Sequence, residues 1–165
     1  MSESSSDMKA MAAIGVLSRE QAQAIVERAV KLSKADAVRV SVNSSRETNL
    51  RFADNQMSTS GVTTNSTIRI QSVFGKRKAS VVTNDRSDEG LRRAVEQSEA
   101  LARLAPEDPE YLGELPPQTY APVNAWFDRT AELSAEDRAT AAMTALAPAR
   151  AAKDLTVAGF IICNA

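Results

Sequence analysis

Apolar residues recur at helical spacing from Ala22 through Ile25, Val26, Ala29, Val30 and Leu32, which predicts a one-faced amphipathic helix over residues 18–34. Ser18-x-x-Gln21 supplies a capping box at its start, and Leu17 stands where a hydrophobic staple would reach Ala22. After Asp36 the period drops from 3.6 to 2. Val38, Val40 and Val42 alternate with Arg39, Ser41 and Asn43, as in a sheet covered on one side. A polar turn is expected at Asn43 to Arg46, after which Leu50 and Phe52 resume the alternation. Thr67 to Phe74 repeats it with one slip between Ile70 and Val73, the mark of a bulge. Phe74-Gly75-Lys76-Arg77 then turns into Ala79 to Thr83. A second helix is expected from Ser87 or Asp88, where early acids suit the helix dipole, through Leu91, Ala94, Val95, Ser98, Leu101 and Ala102, with Pro106 as its stop. The order helix, four to five strands, helix predicts an α+β two-layer sandwich, an antiparallel strand meander covered by two helices.

From Pro106 to Pro122 the chain carries five of its six prolines together with Glu107, Asp108, Glu110 and Glu114. Such a stretch reads as an extended strap or linker. Beyond it, Leu133-Ser134-Ala135-Glu136-Asp137 caps a third, Ala-rich helix that Pro148 is expected to kink or end, and Lys153 to Cys163 alternates weakly like a strand. A helix and one strand cannot build a core by themselves. The layout expected is therefore a disordered tail over residues 1–16, an α+β domain over 17–105, a linker over 106–122, and over 123–165 the incomplete start of a second, truncated domain.

Net charge is −1, which gives no global pull toward nucleic acid or an anionic membrane. The balance is uneven along the chain: residues 1–105 hold 16 Lys/Arg against 12 Asp/Glu, and residues 106–165 hold 4 against 9. A basic front portion and an acidic rear portion can face each other or separate partners. The single Cys163 excludes an internal disulfide framework, in keeping with a reducing cytoplasm. The apolar run Ala10 to Leu17 follows the acids Glu3 and Asp7, unlike a secretory leader. No stretch reaches the roughly 18 apolar residues needed to span a bilayer. The localisation expected is cytoplasmic, which leaves the sequons at Asn43 and Asn65 as chance matches.

The chain contains no histidine. A hydrolytic zinc site takes imidazole, thiolate or carboxylate ligands, usually three with an open fourth position, so only carboxylates remain here. Asp85, Asp88 and Glu89, or Asp108 and Glu110, cluster without the spacing of a calcium loop and read as a helix start and a solvated strap. Ser6-x-x-Lys9 matches a serine-nucleophile motif but lies in the tail, a catalytic triad lacks its base, and the six glycines form no phosphate cradle. No catalytic residue, metal ligand or cofactor is assigned to this chain.

Three places offer contact rather than catalysis. The stretch Ser58 to Thr67 is polar and rich in β-branched hydroxyls, with Gly61 in its midst; it reads either as a long polar connection or as a segment, carrying Thr59, Ser60, Gly61 and Thr63, that pairs with an extended peptide. Lys76, Arg77 and Lys78 form the one dense basic cluster, at a hairpin tip, where a solvated turn is the simpler account. Trp126 and Phe127 follow the strap, and adjacent rings there anchor a linker more often than they hold a cofactor. Without interleaved aromatics to stack on bases, nucleic acid is not expected as a partner.

One block draws these observations together: Thr48-Asn49-Leu50-Arg51-Phe52-Ala53-Asp54-Asn55-Gln56, then Ser58-Thr59-Ser60-Gly61-Val62-Thr63-Thr64, Phe74-Gly75-Lys76-Arg77 and Thr83 to Leu91. It resembles the amino-terminal domain of the TldD/PmbA family. The resemblance covers residues 17–120 well and 121–160 loosely. It implies cytoplasmic zinc metallopeptidases and their metal-free partners, some described as gyrase modulators, whose peptidase members carry a His-Glu-x-x-x-His helix far downstream. It further implies a homo- or heterodimer with a TldD/PmbA-type subunit, enclosing a cavity in which unfolded peptides are cut. Zinc would belong to the full-length peptidase, while this chain contributes scaffold, dimerisation and peptide contact. The other reading is a stand-alone interaction module or, more remotely, a nucleic-acid-binding protein.

Overall fold

The computed structural model describes residues 14–123, 125–152 and 154–165. The elements are α1 (Arg19–Leu32), β1 (Ala37–Ala53), β2 (Gln56–Phe74), β3 (Arg77–Thr83), α2 (Asp88–Leu104), the single turn α3 (Asp128–Ala131), α4 (Ala135–Ala152) and β4 (Gly159–Asn164). The strands form an antiparallel sheet in the order β3-β2-β1-β4. The architecture is the expected α+β one. Of the expected amino-terminal tail, residues 1–13, including Ser6-x-x-Lys9, lie outside the described residues; Gly15 adopts φ 77° and Val16 is buried. Lys153, where the last strand was expected to begin, also lies outside them.

The chain divides into two compact units, one comprising Leu17–Ser44 and Ser66–Val123, the other Ser45–Asn65 with the described residues up to Val16 and from Ala125. In the first, α1 begins with the full capping box: Gln21 N–H donates to Ser18 Oγ, and the Gln21 side chain accepts from Ser18 N–H at 3.0 Å. Its inward residues Ile25 and Ala29 meet Leu91, Ala94 and Val95 of α2 and Ile68 and Ile70 of β2, with the valines of β1 around them. Burying each large aliphatic there contributes about 1.5–3 kcal/mol. Ile68 to Phe74 pairs with Thr83 to Arg77 without interruption, so the bulge expected between Ile70 and Val73 is absent from this ladder. The apparent slip is a buried serine. Ser72 takes the inward position and bonds Ser98 of α2 at 2.7 Å, which permits a hydroxyl where a hydrophobe was sought.

The turn expected at Asn43 to Arg46 does not form either, since β1 runs straight through it. Its inward Ser44 accepts from Leu17 N–H at 3.0 Å and bonds Ser66 at 3.1 Å, so polar residues here are satisfied without leaving the strand. The chain reverses instead at Asp54 and Asn55, both left-handed with φ 50° and 58°. These two residue types tolerate that region, and consecutive left-handed residues match the twist of a two-residue hairpin.

In the second unit Leu50 and Phe52 of β1 pack with Ala142 and Leu146 of α4. The lone last strand finds its neighbour in β1, from Glu47 opposite Asn164 to Phe52 opposite Gly159. A Cβ on Gly159 would stand 2.7 Å from the Phe52 ring, so glycine permits that approach. α4 is capped as expected, with Asp137 N–H on Ser134 Oγ and Ser134 N–H on the Asp137 carboxylate. It does not end at Pro148 but continues to Ala152. Proline there removes one donor near the end of the helix, and the buried Leu146 and Ala149 on either side hold the turn.

Candidate functional site

The stretch read as a connection or a peptide-pairing segment is strand: Ser58 to Thr67 lies wholly within β2. Among the described residues β3 covers β2 only from Ile68 onward, so the outer edge from Gln56 to Thr67 has no strand beside it. Thr59, Ser60 and Thr63 are exposed and Gly61 half-buried. Ser58 and Ser60 turn their hydroxyls onto β1, donating to Arg51 O at 3.2 Å and Asn49 O at 3.0 Å. A Cβ on Gly61 would come within 3.3 Å of the Asn49 amide, a flexible side chain able to give way. Gly61→Val is therefore expected to cost well under the ~1 kcal/mol span of strand preference.

The basic turn faces the acidic strap of its own unit. Arg77 donates to Ala105 O at 3.1 Å and lies 3.4 Å from Glu107, and Lys78 pairs with Asp108 at 2.6 Å beneath the Tyr111 ring. Asp108 N–H donates to Lys76 O at 2.9 Å, and on β1 Arg39 pairs with Glu114. This clasp accounts for Arg77 and Lys78 without a nucleic-acid ligand. A hollow of about 580 Å³ is lined by Arg39, Glu114, Leu115, Pro117 and Tyr120 among others, and its two charged residues are that ion pair. Lys78, with Glu110 N–H second, holds the Asp108 carboxyl below its ordinary 3.8. A depressed folded value stabilises above the unfolded one and is lost as pH falls through the folded one. The strap is thus expected to stay clasped at neutral pH and loosen below about pH 4. Carboxyl titration by NMR should place the Asp108 midpoint below 3.8, and Lys78→Ala should raise it.

The aromatic pair divides. Trp126 is half-buried, its Nε1–H on Asp128 Oδ1 at 2.7 Å, whereas Phe127 is 62% exposed and caps α3 through its carbonyl. Sequence reasoning missed Asn55. Its side chain accepts from Val157 N–H at 2.9 Å and donates to Leu155 O at 2.7 Å, while its carbonyl takes the Arg150 guanidinium. The Asp54-Asn55 dipeptide was the available signal. Among the described residues no three His, Cys, Asp or Glu side chains gather to hold a metal ion, and no helix is long and apolar enough to cross a membrane.

Residues 38–102 match the model of the PmbA/TldA metallopeptidase domain 1. No curated protein matches the chain. Among solved structures it is similar to TldE from Thermococcus kodakarensis, at 18% identity over 87% of this chain and 34% of that one, with a TM-score of 0.71. It is also similar to proposed modulators of DNA gyrase from Thermotoga maritima (17% identity, 86% and 35% covered, TM-score 0.60) and Bacteroides thetaiotaomicron (16%, 89% and 35%, 0.63). The chain spans about a third of the length of these structures. The fold and the matched segment agree: residues 38–102 match the first domain of the PmbA/TldA metallopeptidases, and the chain shares the fold of these structures.

Proposed function

We propose that this chain is the non-catalytic amino-terminal part of a TldD/PmbA-type zinc metallopeptidase or of its metal-free partner, contributing scaffold, dimerisation and peptide contact. The observation that supports contact most directly is the outer edge of β2, where Thr59, Ser60, Gly61 and Thr63 lie along strand backbone with no strand beside it among the described residues. Backbone donors and acceptors along such an edge accept a strand from another chain with little regard to its side chains. That suits unfolded peptides. The absence of histidine from the sequence supports assigning the chemistry to other parts of the complete protein. The working place is the cytoplasm, in keeping with a lone thiol.

Two measurements test this reading. With zinc supplied, the chain alone is expected to leave unfolded peptides intact; cleavage abolished by a chelator would overturn the non-catalytic assignment. Gly61→Val is expected to weaken binding of an extended peptide, or of a family subunit, severalfold while the urea midpoint stays close to that of the parent. Equal loss of contact and stability would leave Gly61 a structural role only.

A further inference from the structure

We infer that Arg138, with Arg46 beside it, forms a receptor for a carboxylate within the second unit. The observation behind it is a buried guanidinium with a donor left over. Arg138 stands in the first turn of α4 and is 4% exposed. Its Nη1 donates to Leu133 O at 3.0 Å, whereas its Nε–H is buried with no acceptor. Burying a charge is costly unless an opposite charge or a full set of acceptors meets it. One carbonyl does not meet that need.

The acids close by in sequence do not supply it. Asp137 is committed to Ser134, accepting from its amide at 2.8 Å and from its hydroxyl at 2.6 Å. Among the described residues no carboxylate forms an ion pair with Arg138 or with Arg46. Arg46, half-buried on β1, donates from Nη1 to Ala131 O at 3.2 Å. Ala131 and Leu133 lie two residues apart where α3 leads into α4, a reach of at most about 7 Å, so the two guanidiniums come to one corner. The start of α4 adds the positive end of its dipole there. Two cations at a helix start repel one another, and an anion relieves both.

The donor geometry selects the anion. With Nη1 spent on Leu133, the Arg138 guanidinium keeps the edge formed by Nε–H and Nη2, whose two parallel N–H groups match the two oxygens of a carboxylate. A brace for Leu133 would use Nη1 alone and leave the Nε–H of a buried charge unspent.

The test is a titration of the nitrogen-labelled chain with sodium acetate in exchange for sodium chloride at fixed ionic strength, reading arginine Nε–H signals by NMR. The Arg138 signal, identified by its loss in Arg138→Met, is expected to move saturably while that of exposed Arg92 stays. Arg46→Gln should weaken the binding roughly tenfold, since it removes the second cation. Acetate should also raise the urea midpoint of the parent and not that of Arg138→Met. An N-acetylated alanine peptide with a free carboxyl end, set against its amide, then tells the source. Affinity above that of acetate and lost in the amide assigns the site to the end of a polypeptide; affinity equal to that of acetate assigns it to a small acid. An Arg138 signal that neither acetate nor the peptide moves, or a midpoint that responds alike in parent and variant, would overturn the inference and leave Arg138 a brace for Leu133.

Discussion

Leu91→Ala is expected to lower stability by about 2–5 kcal/mol, the range for emptying a fully buried leucine site. Leu91 is 0% exposed and belongs to the cluster of Ile25, Ala29, Ile68 and Ile70. It stands in the first turn of α2, next to a cap in which Ser87 Oγ accepts from Gly90 N–H at 3.0 Å. The backbone is pinned on one side and the sheet packs on the other, so little collapse can fill the space. Urea unfolding measures the loss, and a cost below 1 kcal/mol would mean that the helix shifts to close the cavity.

Ser98→Ala is expected to cost about 1–3 kcal/mol, the penalty of stranding a buried donor, and to cost more than Ser72→Ala. The asymmetry follows from where the protons go. Ser98 Oγ donates to Val95 O at 2.9 Å, which uses its one hydrogen, so in the 2.7 Å contact between the two hydroxyls Ser72 must be the donor. Removing Ser98 leaves the Ser72 hydrogen without an acceptor at a site 0% exposed. Removing Ser72 leaves Ser98 still bonded to Val95. The double variant should therefore resemble Ser72→Ala rather than the sum of the two. Additive costs would show that each hydroxyl finds its own partner.

Much of the helical part of this molecule was legible in the sequence because helix ends are local events. Ser18, Ser87 and Ser134 each place a side-chain oxygen on an amide a few residues away, and no distant contact is needed to read them. The Gly75 turn was legible for the same reason, with φ 59° at the one residue that takes it freely. The strands were harder. Polar runs at 43–46 and 58–67 looked like connections because alternation counts only hydrophobes, and it cannot see that Ser44 meets Ser66 and Leu17.

The candidate site was legible as composition and illegible as geometry. The hydroxyl-rich stretch around Gly61 stood out by composition as a candidate for contact. That it is an edge depends on where β3 stops pairing at Ile68, which no local pattern records. The basic turn was visible, but its engagement by Glu107 and Asp108 joins residues some thirty positions apart. Asn55 went unnoticed because its partners lie about a hundred residues later, at Leu155 and Val157.

By itself the sequence determined the likeness to the TldD/PmbA amino-terminal domain, the α+β class, the helix boundaries near their caps and the lack of imidazole ligands, all properties of residue type or of neighbours within a few positions. The tertiary structure alone decided that two long strands replace several short ones, that the last strand joins β1, and where, among the described residues, β3 stops covering β2. Those outcomes turn on hydrogen bonds between residues far apart in the chain, and backbone pairing carries no mark in the identity of either partner.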